Sequence, residues 1–183
     1  QSRFASVVFG CQAPDTGNAE ILAHYGSDEI KAKYLQPLLN GELASSYSMS
    51  EPQGGADPTQ FRCMAVEDGD DFVINGEKWF SSNARFASFL IVMVVTDPEA
   101  SAHGRASMIV VPTDTPGVEI VRNVGVGDEP PGHGTHAYVR YTDVRVPKQN
   151  LLGPRGQGFA VAQTRLGGGR VHHAMRTVGQ IKR

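Results

Sequence analysis

The chain has 183 residues, 40% of them apolar and 20% charged, and its 17 basic and 19 acidic side chains give a formal net charge of −2. This is the balance of a soluble globular domain able to bury a core, and no Lys/Arg run stands out to support a nucleic-acid surface or a membrane-attracting patch. The longest apolar stretch, Phe89 to Val95, is far short of the roughly 18 residues a membrane-spanning helix needs. No signal-peptide pattern opens the chain, so a cytoplasmic location is expected, or a mitochondrial-matrix or peroxisomal one if the source is eukaryotic.

A helical tail is expected from Phe4 to Phe9, then a loop at Pro14-Asp15-Thr16-Gly17-Asn18 and a short helix from Ala19 to His24. Ser27 reads as an N-cap, with Asp28 and Glu29 in the first turn and Ile30, Tyr34, Leu35 and Leu38 on one face, before Asn40-Gly41 stops the helix. From Ala44 the pattern changes to strands: Ser46 to Ser50, Phe61 to Glu67, Asp71 to Ile74, Glu77 to Ser82, Phe89 to Thr96, Ala106 to Val111, Val118 to Val121 and Thr135 to Asp143. Asp68-Gly69-Asp70 and Asn75-Gly76 both match hairpin loops. After Pro147 and a glycine-rich loop, Phe159 to Arg183 returns to helical spacing, weakened in the middle by Gly167-Gly168-Gly169. The 21 glycines and 11 prolines are scattered between apolar runs, which favours short strands. The expected class is α+β, with the strands forming a small antiparallel barrel or sandwich. The chain begins without methionine and stops inside a helix, as a piece of something longer does.

Cys11 and Cys63 lie in no zinc-binding spacing and are expected as free thiols. His133 and His136 are three apart; His172 and His173 are adjacent and, on a helix, point about 100° apart, so no metal site is expected. No GxSxG elbow is present for nucleophilic hydrolysis.

Three segments carry chemistry. Tyr47-Ser48-Met49-Ser50-Glu51-Pro52-Gln53-Gly54-Gly55-Ala56-Asp57 leaves a strand for a glycine-bearing loop, where main-chain N–H groups can approach an anion and Ser50 adds a hydroxyl; a plain turn is the alternative. In Lys78-Trp79-Phe80-Ser81-Ser82-Asn83, strand alternation sends Phe80 and Ser82 to one face and Trp79 and Ser81 to the other. An aromatic beside a hydroxyl suits a planar heteroaromatic ring, unless Phe80 simply belongs to the core. Arg170, following three glycines, can pair with a carboxylate or phosphate, or can be solvated on a flexible helix start.

The first two motifs, in this order and separation, resemble the flavin-binding segments of the acyl-CoA dehydrogenase family: an aromatic-x-x-Ser/Thr-Glu-Pro signature and a Lys-x-Trp-Ile-Ser/Thr-Asn segment. Tyr25-Gly26-Ser27, Lys33 to Leu38, Val144-Arg145-Val146-Pro147, Leu151-Leu152-Gly153 and Gly156-Gln157-Gly158-Phe159 fit the same family. The Ala13-to-Asn18 and Leu166-to-His173 stretches look most like its branch related to the long-chain and branched-chain acyl-CoA dehydrogenases ten and eleven. The resemblance implies a central antiparallel β-barrel at 44–155, flanked by the end of an N-terminal helical domain at 1–43 and the first helix of a C-terminal helical domain at 156–183.

It further implies FAD as cofactor, fatty acyl-CoA as substrate, an electron-transfer flavoprotein or similar acceptor, and a homodimer or homotetramer. Tyr47, Met49 and Ser50 match residues along the flavin, Gly55 and Ala56 the turn near its pyrophosphate, Phe80 the tryptophan beside the isoalloxazine and Ser82 the hydroxyl that bonds N5. Ala56 stands where the family usually has serine, beside phosphate or substrate, and Arg170 matches an arginine near substrate. The family's base is a glutamate, in most branches on the C-terminal helical domain beyond Arg183. A minority place it before the arginine, where this chain has Gly169. No catalytic base is therefore expected within this chain. An acyl-CoA oxidase, and a catalytically silent β-barrel binding or assembly module, are the alternatives.

Overall fold

The computed structural model describes residues 13–182 apart from 56, 126 and 131; the expected Phe4–Phe9 helix, Cys11 and Ala56 lie outside the described residues. Helix α1, Asp15–Tyr25, takes in most of the segment expected as a loop. Its polar residues serve the helix and the adjoining strand: Asn18 N–H bonds Pro14 C=O at 3.0 Å, and Asp15 Oδ1 accepts from the Ser45 N–H and hydroxyl at 2.8 and 2.5 Å. Helix α2 runs through three consecutive segments, Asp28–Ile30, the π-helical Lys31–Leu35 and Gln36–Leu39. Ser27 caps it as expected, its Oγ accepting the Ile30 N–H at 3.2 Å.

The strands are β1 (Ser45–Ser48), β2 (Met64–Asp68), β3 (Asp71–Ser82), β4 (Phe89–Val95), β5 (Ala106–Pro112), β6 (Val118–Val124), β7 (His136–Pro147) and β8 (Leu151–Leu152). They form one sheet in the order β6-β7-β3-β1-β4-β5-β8, with β2 also pairing β3 and β4. The expected α+β class holds, and the expectation of an antiparallel barrel or sandwich is corrected on one count, the strand directions around β4. Strand β1 runs parallel to β4 because the whole β2–β3 hairpin intervenes in the chain and returns it in the same direction, and β2, with only the antiparallel β3 between, is parallel to β4 at one pairing. Among the described residues no ladder joins β6 to β8, but β2 pairs both β3 and β4, so β3, β1, β4 and β2 close a ring within the mixed sheet.

Gly69-Asp70 turns the β2–β3 hairpin as expected, but Asn75-Gly76 does not turn. It is a bulge within one continuous β3, and the two strands expected there are one. Asn75 is engaged across the sheet instead: its Oδ1 accepts the Asp143 N–H at 2.9 Å and its Nδ2 donates to Asp143 Oδ1 at 3.0 Å. Gly76 has φ +142°, and a Cβ there would stand 2.6 Å from Cys63 Cα, so only glycine lets the bulge close on β2's approach.

The continuous apolar run of β4 is explained by burial on both faces. Phe89, Ile91 and Met93 pack with Ile21, Leu22, Tyr34 and Met108 in a core shared with the helices. Leu90, Val92 and Val94 pack with Phe72, Ile74, Val139 and Tyr141 in a second core drawn from β3, β4, β5 and β7. The last helix, α3 (Gly158–Ile181), continues through the three glycines and anchors Val161 and Ala162 in the first core. Among the described residues no helix is long and apolar enough to cross a membrane.

Candidate functional site

The two sequence motifs are joined behind the site by a buried polar lock. Lys78 Nζ donates to Glu51 Oε1 and to the Met49 carbonyl, both at 2.8 Å, and the pair is essentially sealed, with 0% and 2% side-chain exposure. Glu51 also accepts the Arg62 N–H at 2.6 Å, the Cys63 N–H at 3.0 Å and Gln53 Nε2 at 2.5 Å. Burial pushes the Glu51 carboxyl up, but the Lys78 ammonium and these hydrogen bonds outweigh it and hold the carboxyl below its ordinary range. Trp79 N–H bonds the Ser50 carbonyl at 2.9 Å, and Ser48 Oγ lies 2.7 Å from Ser81 Oγ and 2.9 Å from the Tyr141 hydroxyl. Each motif thus fixes the backbone of the other.

In front of this lock lies a cavity of about 450 Å³, lined among others by Tyr47, Met49, Ser50, Phe80, Ser82 and Arg165. That volume is within the ~300–1,000 Å³ of small-molecule sites. A second bulge brings Phe80 to it. Lys78 and Ser81 both point into the protein, and Phe80, between them, adopts φ +57°, a conformation that costs a non-glycine residue on the order of 1–3 kcal/mol. Simple alternation is broken there: Trp79 turns outward against Tyr138, 5.2 Å between ring centroids, while Ser81 turns inward. Phe80 is 45% exposed and is no core residue. Its ring stands edge-on to Trp79 and His136.

The other wall comes from the helices. The Arg165 guanidinium lies 3.8 Å from the centre of the Tyr47 ring, and its Nε donates to Asn18 Oδ1 at 2.9 Å. Gly17 makes room for it, since a Cβ there would approach Arg165 Cγ to 2.9 Å. Burial lowers the Arg165 pKa and raises that of Tyr47 to about 12, the neighbouring charge of Arg165 acting against the latter. The Tyr47 hydroxyl is buried with no hydrogen-bond partner among the described residues, an unsatisfied group beside the cavity.

Of the remaining expected site residues, Gly55 pairs with Glu51 through a 2.9 Å backbone hydrogen bond and is not among the cavity-lining residues. Arg170 is exposed, with Nη1 2.8 Å from Gln163 Oε1, and does not line the cavity. Sequence reasoning missed Arg165. It stands four residues after Val161 on the buried stripe of α3, and that spacing was a legible signal; Arg170, five further on, is rotated about 140° away. His172 and His173 are exposed, and no metal-holding group of side chains occurs among the described residues. Cys63 is a free, buried thiol, raised to about 12 by burial, with Lys78 opposing.

A sheet with this order, carrying both motifs against one cavity, defines a middle domain of known type: the family model "Acyl-CoA dehydrogenase, middle domain" matches residues 46–144, and the chain belongs to the acyl-CoA dehydrogenase family. It is 47% identical to "Probable acyl-CoA dehydrogenase FadE2" of Mycobacterium tuberculosis, over 98% of this chain and 44% of that protein. It is 46% identical to acyl-CoA dehydrogenase family member 11 of Mus musculus, over 98% of this chain and 24% of that protein. The solved acyl-CoA dehydrogenase of Geobacillus kaustophilus superposes with a TM-score of 0.73 at 37% identity, covering 80% of this chain and 38% of that one. The chain spans less than half the length of these relatives.

Proposed function

We propose that this chain forms the flavin-binding middle of an FAD-dependent acyl-CoA dehydrogenase, with 1–43 and 156–183 belonging to flanking helical domains and 44–155 to the central one. The observation that carries this reading is the convergence of Tyr47, Met49, Ser50, Phe80 and Ser82 on one cavity. The residues fit an isoalloxazine: an exposed aromatic wall, hydroxyls at Ser50 and Ser82, and a buried Tyr47 hydroxyl without a partner among the described residues. Bound FAD would supply the hydride acceptor for a thioester substrate.

The chain's own residues bind and orient. Phe80 offers stacking area, which a phenyl ring provides without the donor of an indole. Ser82 presents a hydroxyl to the cavity, while Lys78 and Trp79 N–H hold the Met49 and Ser50 carbonyls away from it. Gly55, whose own N–H is given to the Glu51 carbonyl, would form the turn that brings the Ala56 main-chain donor toward the pyrophosphate, and Arg170 would offer a charge toward the acyl-CoA. Among the described residues lining the cavity the sole carboxylate is Asp15, already engaged by Ser45. The α-proton would be taken by the glutamate that the family resemblance implies beyond Arg183. An electron-transfer flavoprotein or similar acceptor, and a homodimer or homotetramer, complete the proposal.

FAD titrated into the chain should give saturable binding with perturbed flavin absorbance, weakened by Ser82→Ala and Phe80→Ala. Anaerobic mixing of the loaded chain with a long-chain acyl-CoA should leave the flavin unbleached. A protein indifferent to flavin would favour the silent binding module, and ready bleaching would place a base within the chain.

A further inference from the structure

Ser82 does not face the cavity alone. Its Oγ lies 2.8 Å from His136 Nδ1, and both residues line the cavity. His136 pairs directly with Ser82 in the β3–β7 register and is seated on its other side by Val124 of β6. Two hydrogen-bonded strands hold the contact, and the imidazole also stands edge-on to Phe80, 6.1 Å between centroids.

A serine hydroxyl has one proton to donate and two lone pairs to offer. When Nδ1 is bare it takes that proton, and the cavity meets an acceptor. When Nδ1 carries hydrogen it donates to Oγ, and the serine proton is free to point into the cavity. The imidazole therefore decides the hydrogen-bonding sign that Ser82 shows to a guest.

Resting on the reading that this cavity takes an isoalloxazine, we propose that His136 is a positioning residue that sets the polarity of Ser82 toward the flavin. With hydrogen on Nδ1, Ser82 donates, which suits the bare ring nitrogen of oxidised flavin; with Nδ1 bare, Ser82 accepts, which suits the N–H of reduced flavin. The hydroxyl rotates and the imidazole moves its own proton between its two nitrogens through water. No proton or electron passes from the pair to the flavin.

Two measurements test this. In the flavin-free chain, the ¹⁵N resonances of His136 should shift when Ser82→Ala removes the hydroxyl; unchanged resonances overturn the pairing whatever the cavity binds. Affinities for oxidised and dithionite-reduced FAD are then compared. His136→Phe keeps the ring beside Phe80 and removes the nitrogen; it should change the ratio of the two affinities about tenfold, roughly 30 mV for a two-electron couple. His136→Asn, whose amide can donate or accept near the Nδ1 position, should restore it. Ser82→Ala should move the ratio by a comparable factor, and adding His136→Phe should then change nothing more. The Ser82→Ala comparison stands even if His136→Phe fails to fold. A wild-type ratio in either single variant overturns the role of His136 while leaving flavin binding intact; absence of FAD binding by the wild type removes both readings.

Discussion

The two sides of β3 obey opposite rules. On the inner side, Lys78 and Ser81 sit in a network with Glu51, Ser48 and Tyr141 where charge and hydroxyl are met by partners at 2.7–3.0 Å. On the outer side, Phe80 is held at positive φ and left half-exposed, and the nearby Tyr47 hydroxyl has no partner among the described residues. The satisfied side supplies the rigidity that lets the other side keep strain and open hydrogen-bonding capacity for a guest.

Breaking the inner side should have the largest effect. Lys78→Met leaves the buried Glu51 charge alone and should destabilise the fold by about 3–5 kcal/mol, read by denaturant unfolding. Replacing both residues by apolar ones should recover much of that loss, and failure to recover would mean that the pair matters through more than its charge. A milder break uses pH. The Glu51 carboxyl is depressed in the fold, so its stabilising contribution is present above the unfolded glutamate value of about 4.3 and is lost as pH falls through the lower folded value. Glu51→Gln should be less stable near neutrality and show a flatter acid limb when unfolding is followed against pH.

Working on the outer side should separate stability from binding. Phe80→Gly relieves the strained backbone, so thermal stability should hold or rise by about 1 kcal/mol, while FAD affinity falls up to about tenfold with the lost ring. A parallel fall in both would merge the two sides into one structural unit. The smallest effect belongs to the surface. Arg155 bonds Glu67, Asp97 and the Thr96 carbonyl in the open, and Arg155→Ala should cost under about 1 kcal/mol, less still at high salt.

These predictions also mark where the sequence could be read. The caps at Ser27 and the Gly69 turn are local chemistry, and the helix–strand–helix order follows from local periodicity. The motif residues were found because their spacing matches a family. What escaped depends on partners distant in the chain. Asn75-Gly76 has the chemistry of a turn, but Asp143 and Cys63 make it a bulge. Alternation through Phe80 fails because a bulge opposite β7 resets the face. Arg165 and Arg170 differ only in which side of a helix packs on Tyr47, and the parallel seating of β1 is a matter of topology that no local pattern encodes.

That seating has a consequence for how the protein comes into being. Strand β1 lies between β3 and β4, both of which follow it in the chain, so its ladders close only after a long stretch has been synthesised and brought back. Tyr47 reaches its wall of the cavity by the same closure, which makes the binding-competent shape a late product of assembly and never a property of any isolated hairpin.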